Sequence, residues 1–239
     1  MGRVPPGLRL ADVGSGRLAV AEVFGPTIQG EGPTAGQRAG FVRLAHCNLD
    51  CSWCDTKFTW CWDTHDPIAE IHVLPTDDVC ARLDAMEPGR VVITGGEPLL
   101  QQAHLGPLLD HCRGRGWPVE IETNGTVEPT IDVAQFNVSP KLANSGIVEG
   151  RRVKPAVLAA FMATGRAVFK FVATGPADLD EIDAIVDANR LDPVWVMPEG
   201  TSADAITAGL RALAEPVIAR GWHLTPRLHI LLWGDERGR

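Results

Sequence analysis

The chain has 239 residues, 45% of them hydrophobic and 22% charged, with a formal net charge of -8. That length suffices for one large α/β domain with a substantial core, and the composition excludes a disordered chain. The acidic balance argues against broad nucleic-acid binding, which draws on clustered Lys and Arg, and so favours a small-molecule substrate. No apolar run reaches the roughly 18–20 residues of a membrane span. The N-terminus "MGRVPPGLRL" lacks the apolar core and cleavage site of a secretory signal, so the expectation is a cytoplasmic protein with no membrane partner.

Residues 1–17 are rich in Gly, Pro and Arg without apolar periodicity and read as a flexible leader to a single domain over 18–239. Strands are then expected, in order, at "RLAVAEVF", "FVRLAH", "RVVIT", "PVEIET", "AQFNVS", "AVFKFVA", "PVWVM" and "RLHILLW". A helix starts near Thr76, a candidate N-cap, and places Val79, Leu83 and Met86 on one stripe. Residues 177–189 and 203–219 repeat the pattern with Leu179, Ile182, Ile185 and Val186, and with Ile206, Leu210, Leu213 and Val217. Strands alternating with amphipathic helices predict βαβ units and a mainly parallel sheet, either open or curled into a full or partial barrel.

In both architectures ligands gather at the carboxyl ends of the strands. "TGGEP", "ETNGT", "SPK" and "MPEG" end four of the expected strands, and "HCNLDCSWCDT" follows a fifth. Glu122, Thr123 and Asn124 offer polar groups for a ribose or an amino-acid head. In a reducing compartment clustered cysteines read as metal-binding or catalytic before disulfide-forming. Cys47, Cys51 and Cys54, spaced C-x3-C-x2-C, fit one metal centre. A structural zinc would need a fourth ligand from His46, His65 or Cys61. A [4Fe-4S] cluster held by three thiolates would keep one iron open. The spacing alone leaves both readings, a zinc-stabilised binding protein and an iron-sulfur enzyme.

The cysteine spacing followed by a Gly-Gly-Glu-Pro turn resembles the radical S-adenosylmethionine superfamily. The stretch "EVFGPTIQGEGPTAGQRAGFVRLAHCNLDCSWCDTKFTW", with "ITGGEPLLQ", "IETNGT", "NVSPK", "MPEG" and "RLHILLWG" in order behind it, resembles the 7-carboxy-7-deazaguanine synthases over residues 18–234. Another small radical enzyme, such as a glycyl-radical activase, would leave Q-G-E-G and Asp55-Thr56 without a purpose.

The resemblance implies an incomplete parallel α/β barrel and a lyase that contracts 6-carboxy-5,6,7,8-tetrahydropterin to 7-carboxy-7-deazaguanine with loss of ammonia, in queuosine-type 7-deazapurine biosynthesis. It implies a [4Fe-4S] cluster on Cys47, Cys51 and Cys54, catalytic use of S-adenosylmethionine, and Mg2+ on Thr56. Substrate contacts are implied for Ile28, Gln29, Gly30, Arg43, Thr94 and His229. Arg43 is the group suited to a carboxylate. Cofactor contacts are implied for Gly96, Ser139, Pro140, Lys141, Met197, Pro198, Glu199 and Gly200, beside Glu122 and Asn124. A homodimer and an electron donor such as flavodoxin complete what the family implies, and an open sheet edge would give dimerisation a motive.

Overall fold

The computed structural model describes residues 4–239, and in it the alternating segments lie side by side as one nine-stranded sheet. The strands are β1 (Arg17–Ile28), β2 (Arg38–Leu44), β3 (His72–Pro75), β4 (Val91–Gly95), β5 (Val119–Thr123), β6 (Gln135–Val138), β7 (Ala167–Ala173), β8 (Val194–Pro198) and β9 (His223–Leu224). Their order is β3-β1-β2-β4-β5-β6-β7-β8-β9. β1 is antiparallel to β2 and β3, and from β2 to β9 every neighbouring pair is parallel. The edge strands β3 and β9 do not meet, so the expected incomplete barrel is what the chain forms.

The helices are α1 (Pro67–Glu70), α2 (Thr76–Met86), α3 (Gly106–Gly114), α4 (Glu149–Arg152), α5 (Pro155–Ala163), α6 (Leu179–Asn189), α7 (Ala203–Ala219) and α8 (Leu228–Trp233). The long ones cover one face of the sheet because each offers that face an apolar stripe. Val79 and Leu83 of α2, Leu108 of α3, Phe161 of α5, Ile182 of α6 and Leu213 of α7 join Val42, Ile93, Ile121, Phe136, Phe169 and Val196 of the strands in one core. Phe136, Phe161, Phe169 and Phe171 are fully buried, each stabilising the fold by about 1.5–3 kcal/mol. Successive strand residues point to opposite faces. Arg43, Thr94, Glu120, Glu122, Asn137 and Lys170 therefore fall on the other, concave side. Among the described residues no helix is long and apolar enough to cross a membrane.

Two expectations are corrected. "RLHILLW" is not a strand: Leu228–Trp233 is helical, and its burial is one-sided, with Ile230 buried and Leu232 exposed. A short apolar run carries no period of its own, and here a backbone bond from Leu228 N to the Gly30 carbonyl, 2.8 Å, fixes where the chain turns into the helix. Thr76 is the first helical residue and not the N-cap. Its hydroxyl is buried with no hydrogen-bond partner among the described residues, and Pro75 precedes it in extended backbone. Strands β3 and β9, at 72–75 and 223–224, lie at the sheet edges and are additional to those expected. The described part of the leader lies on the domain: Val4 and Leu8 pack against Val13, Ala19, Ala45 and Ile71.

Candidate active site

A cavity of about 450 Å³ opens at the carboxyl ends of the parallel strands. Cys47, Cys51 and Cys54 all line it, and they pack around Leu49 and Ile147. Their sulfurs already receive N–H groups, from Leu49 N to Cys47 Sγ at 3.4 Å and from Trp60 Nε1 to Cys54 Sγ at 3.2 Å. Burial pushes the Cys47 thiol up to about 12 and raises Cys51 as well, so a cation that takes these two as thiolates must displace their protons.

None of the three residues expected to complete a zinc site, His46, His65 and Cys61, stands on this wall. His46 bonds through Nε2 to the Leu8 carbonyl at 2.9 Å and sits edge-on to Trp62, His65 pairs with Thr64, and neither they nor Cys61 lines the cavity. Among the described residues no group of three His, Cys, Asp or Glu side chains is placed to hold a single metal ion. Three thiols, two of them with sulfur-directed N–H donors, and an open side toward a cavity fit a cluster with one unliganded iron. Thr56 stands on the same wall, its hydroxyl 3.6 Å from Cys54 Sγ, and offers one oxygen to a hard cation.

The Gly-Gly-Glu-Pro turn is built by close approach. A Cβ on Gly96 would stand 2.0 Å from the His46 carbonyl oxygen, so only glycine lets β4 end against the cysteine loop. The Glu97 carboxylate does not reach toward a ligand. It is fully buried and accepts from Leu99 N, the Thr123 hydroxyl and Asn124 N at 3.0, 2.9 and 2.7 Å, locking the turn after β4 to the turn after β5. Burial raises its pKa, and these donors oppose the shift. Asn124 then spans to Asn48 Oδ1 at 2.8 Å, which fixes the cysteine loop from the other side. Lys141 donates to Ser139 at 2.8 Å and lies 5.8 Å from the Trp53 ring centre. Thr94, Gly96, Asn124, Ser139, Lys141, Met197 and Glu199 all line the cavity. Pro140, Pro198 and Gly200 do not; the Gly200 carbonyl instead accepts from Arg227 at 2.8 Å.

The opposite wall is the Gln29–Gly32 loop. Ile28, Gln29, Gly30, Arg43 and His229 line the cavity there. Gly30 is again forced, because a Cβ would stand 2.0 Å from His229 Nδ1. Gln29 turns its amide inward, donating to Glu120 and Glu122 at 3.3 and 3.2 Å, so it braces the loop on β5. Glu122, expected on the cofactor side, is tied to this wall by Gln29, by Asn137 at 2.9 Å and by Lys170 at 2.8 Å.

An ionic network that sequence reading missed underlies this wall. Lys170 bridges Glu31 at 2.5 Å and Glu122 at 2.8 Å, and Arg227 reaches Glu31 at 3.1 Å and also bonds Asp55. Burial alone would raise the pKa of Glu31, but Lys170 and Arg227 overcome it and hold the carboxyl well below its ordinary range. For Lys170 burial pulls down, and Glu122 and Glu31 more than compensate, so it stays charged. His229 is held neutral chiefly by burial. The signal was present in "PVEIET" and "AVFKFVA": a charge at an alternating strand position beside apolar neighbours must find a partner inside. The tail closes the cavity, with Asp235, Glu236 and Arg237 on its wall.

Residues 28–137 match the family described as a 4Fe-4S single cluster domain. The chain is 36% identical over 230 residues to the 7-carboxy-7-deazaguanine synthase of Pyrobaculum aerophilum, covering 93% of this chain and 98% of that one. It is 34% identical to the enzyme of that name from Halobacterium salinarum, over 91% of each chain. The crystal structure of QueE from Escherichia coli has the same fold, with a TM-score of 0.68 at 28% identity over 87% of this chain and 93% of that one. The cysteines and the glutamine loop fall inside the matched stretch, and the likeness runs on through the strands that complete the cavity: the chain belongs to the 7-carboxy-7-deazaguanine synthase family.

Proposed function

We infer that this cavity contracts the ring of 6-carboxy-5,6,7,8-tetrahydropterin to 7-carboxy-7-deazaguanine with release of ammonia, in 7-deazapurine biosynthesis. One observation carries the reading beside family membership: a three-thiol site and the Gln29–Gly32 loop face each other across one cavity. Bound at that site, a [4Fe-4S] cluster and S-adenosylmethionine supply a 5'-deoxyadenosyl radical able to take the C6 hydrogen of the pterin and return it.

The residues of this chain bind and orient. Cys47, Cys51 and Cys54 hold the cluster. The Gly96 backbone, Asn124, Ser139, Lys141, Met197 and Glu199 form the cofactor wall, with Pro140, Pro198 and Gly200 shaping its strand ends. On the other wall Glu31, kept ionised by Lys170 and Arg227, is an acceptor for the N–H edge of the pterin. Ile28, Gly30, Thr94 and neutral His229 shape the slot, and Glu122 braces it from below. Arg43 faces the substrate carboxylate: its Nε is occupied by Glu22 at 2.8 Å, and among the described residues its two terminal nitrogens have no hydrogen-bond partner. Thr56 offers its hydroxyl to Mg2+. A homodimer, a flavodoxin-like donor and a cytoplasmic setting accompany this reading as the family's habit.

The test is an anaerobic assay of iron-reconstituted protein with the pterin, Mg2+, a strong reductant and less S-adenosylmethionine than substrate. Product in excess of the cofactor is expected. Cleavage of the cofactor to 5'-deoxyadenosine with the pterin intact would overturn the substrate assignment. Cys51→Ala abolishes cluster retention and turnover together.

A further inference from the structure

Arg237, in the tail after α8, lines the cavity and meets three separate parts of the chain. Its Nε bonds Glu22 Oε1 on β1, its Nη2 bonds Glu70 on α1 at 2.8 Å, and its guanidinium lies 3.8 Å from the centre of the Phe58 ring. Glu22 is the cross-strand partner of Arg43 in the β1–β2 pair and gives its other oxygen to Arg43 Nε. One half-buried carboxylate therefore stands between two guanidiniums, one from the sheet and one from the tail. Arg43 in turn lies over Phe24 at 5.4 Å and beside Phe58 at 5.9 Å, so both guanidiniums share an aromatic shelf.

Carboxylates prefer to meet a guanidinium through two parallel hydrogen bonds. If Glu22 were free, it would turn both oxygens onto Arg43 and occupy a terminal nitrogen as well as Nε. Arg237 holds one oxygen away, so Arg43, which lines the cavity, is gripped at Nε only, and its terminal nitrogens have no partner among the described residues. We propose that Arg237 is a positioning residue for recognition of the substrate carboxylate: by dividing Glu22 with Arg43 it keeps the carboxylate-binding end of Arg43 vacant. This rests on the reading of Arg43 as the partner of that carboxylate.

The experiment compares the reconstituted holoenzyme with Arg237→Ala, Arg237→Lys and Arg237→Ala/Glu22→Gln. It measures KM and kcat for 6-carboxytetrahydropterin, and binding of the neutral 6-carboxamide analogue. Arg237→Ala is expected to raise KM about tenfold, the loss of roughly one charge-assisted hydrogen bond, with kcat within about twofold. Binding of the carboxamide stays unchanged. Arg237→Lys keeps most of the affinity, and the added Glu22→Gln restores part of it, because a neutral amide competes weakly for Arg43. An unchanged KM in Arg237→Ala, or equal weakening of acid and amide, overturns the proposal and leaves the functional reading standing. Wild-type holoenzyme that leaves the pterin intact overturns that reading and this proposal with it.

Discussion

Replacing Lys170 by methionine takes from Glu122 its one ion-pair partner among the described residues and leaves Glu31 with Arg227 alone. Lys170 is 3% exposed and its partners Glu31 and Glu122 are each 17% exposed, so neither carboxylate can recover full hydration where it stands. Removing one partner of a buried ion pair costs about 3–5 kcal/mol. At roughly 2 °C per kcal/mol for a chain of this size, that lowers Tm by about 6–10 °C. The loss must also depend on pH. Glu31 has its pKa depressed in the folded protein, so its contribution is complete above the unfolded carboxylate value near 4.3 and fades as pH falls through the lower folded one. Lys170 has its pKa raised, and its contribution is complete below its unfolded value near 10.4, hence flat between pH 4 and 8. In Lys170→Met the carboxylates can relieve their repulsion by taking up a proton, so the deficit is largest near neutrality and shrinks toward pH 4. Urea unfolding of both proteins before cluster reconstitution, followed by tryptophan fluorescence from pH 4 to 8, reads this directly. A deficit below about 1 kcal/mol, or one constant across the range, would show that the network is solvated and refute the reasoning.

Gly96→Ala drives a methyl into the His46 carbonyl and is expected to lose the cluster, read as iron content and visible absorbance after reconstitution. Gly30→Ala collides with the His229 ring at 2.0 Å, and the double variant Gly30→Ala/His229→Ala should recover the thermal stability that the single variant loses. Trp60→Phe deletes the N–H at Cys54 Sγ while keeping an aromatic side chain there, so the cluster's reduction potential should fall, because that bond favours the more negative reduced state. Redox titration followed by EPR measures it, and an unchanged potential would mean the indole N–H does not act on the sulfur.

Much of the architecture was legible because the inner strands keep a strict period. "PVEIET", "AQFNVS" and "AVFKFVA" put Ile121, Phe136, Phe169 and Phe171 into the core, and their neighbours inward. The thiol loop was legible from its C-x3-C-x2-C spacing, and Gly96 beside it because contact with the His46 carbonyl demands a glycine there. What escaped was long-range. Nothing beside Lys170 in the chain announces Glu31, and nothing in "TGGEP" tells that Glu97 serves Asn124 and not a ligand. "RLHILLW" forms a helix where a strand is expected because seven apolar-rich residues fit a buried strand as well as a helix, and a contact with Gly30 decides between them. The tail was opaque for the same reason: Arg237 gains its meaning from Glu22, at the other end of the domain.

The charge map of the cavity bears on how such proteins can be cut and recombined. The stretch 28–137 that holds the thiols and the glutamine loop also holds Glu31, Asp55 and Glu122, whereas Lys170 and Arg227, which neutralise them, lie beyond it. That stretch is therefore not a module that can be excised or transplanted with its pocket intact. A chimera joining the first half of one family member to the second half of another will hold its active cavity only if the acids of one half meet matched bases in the other.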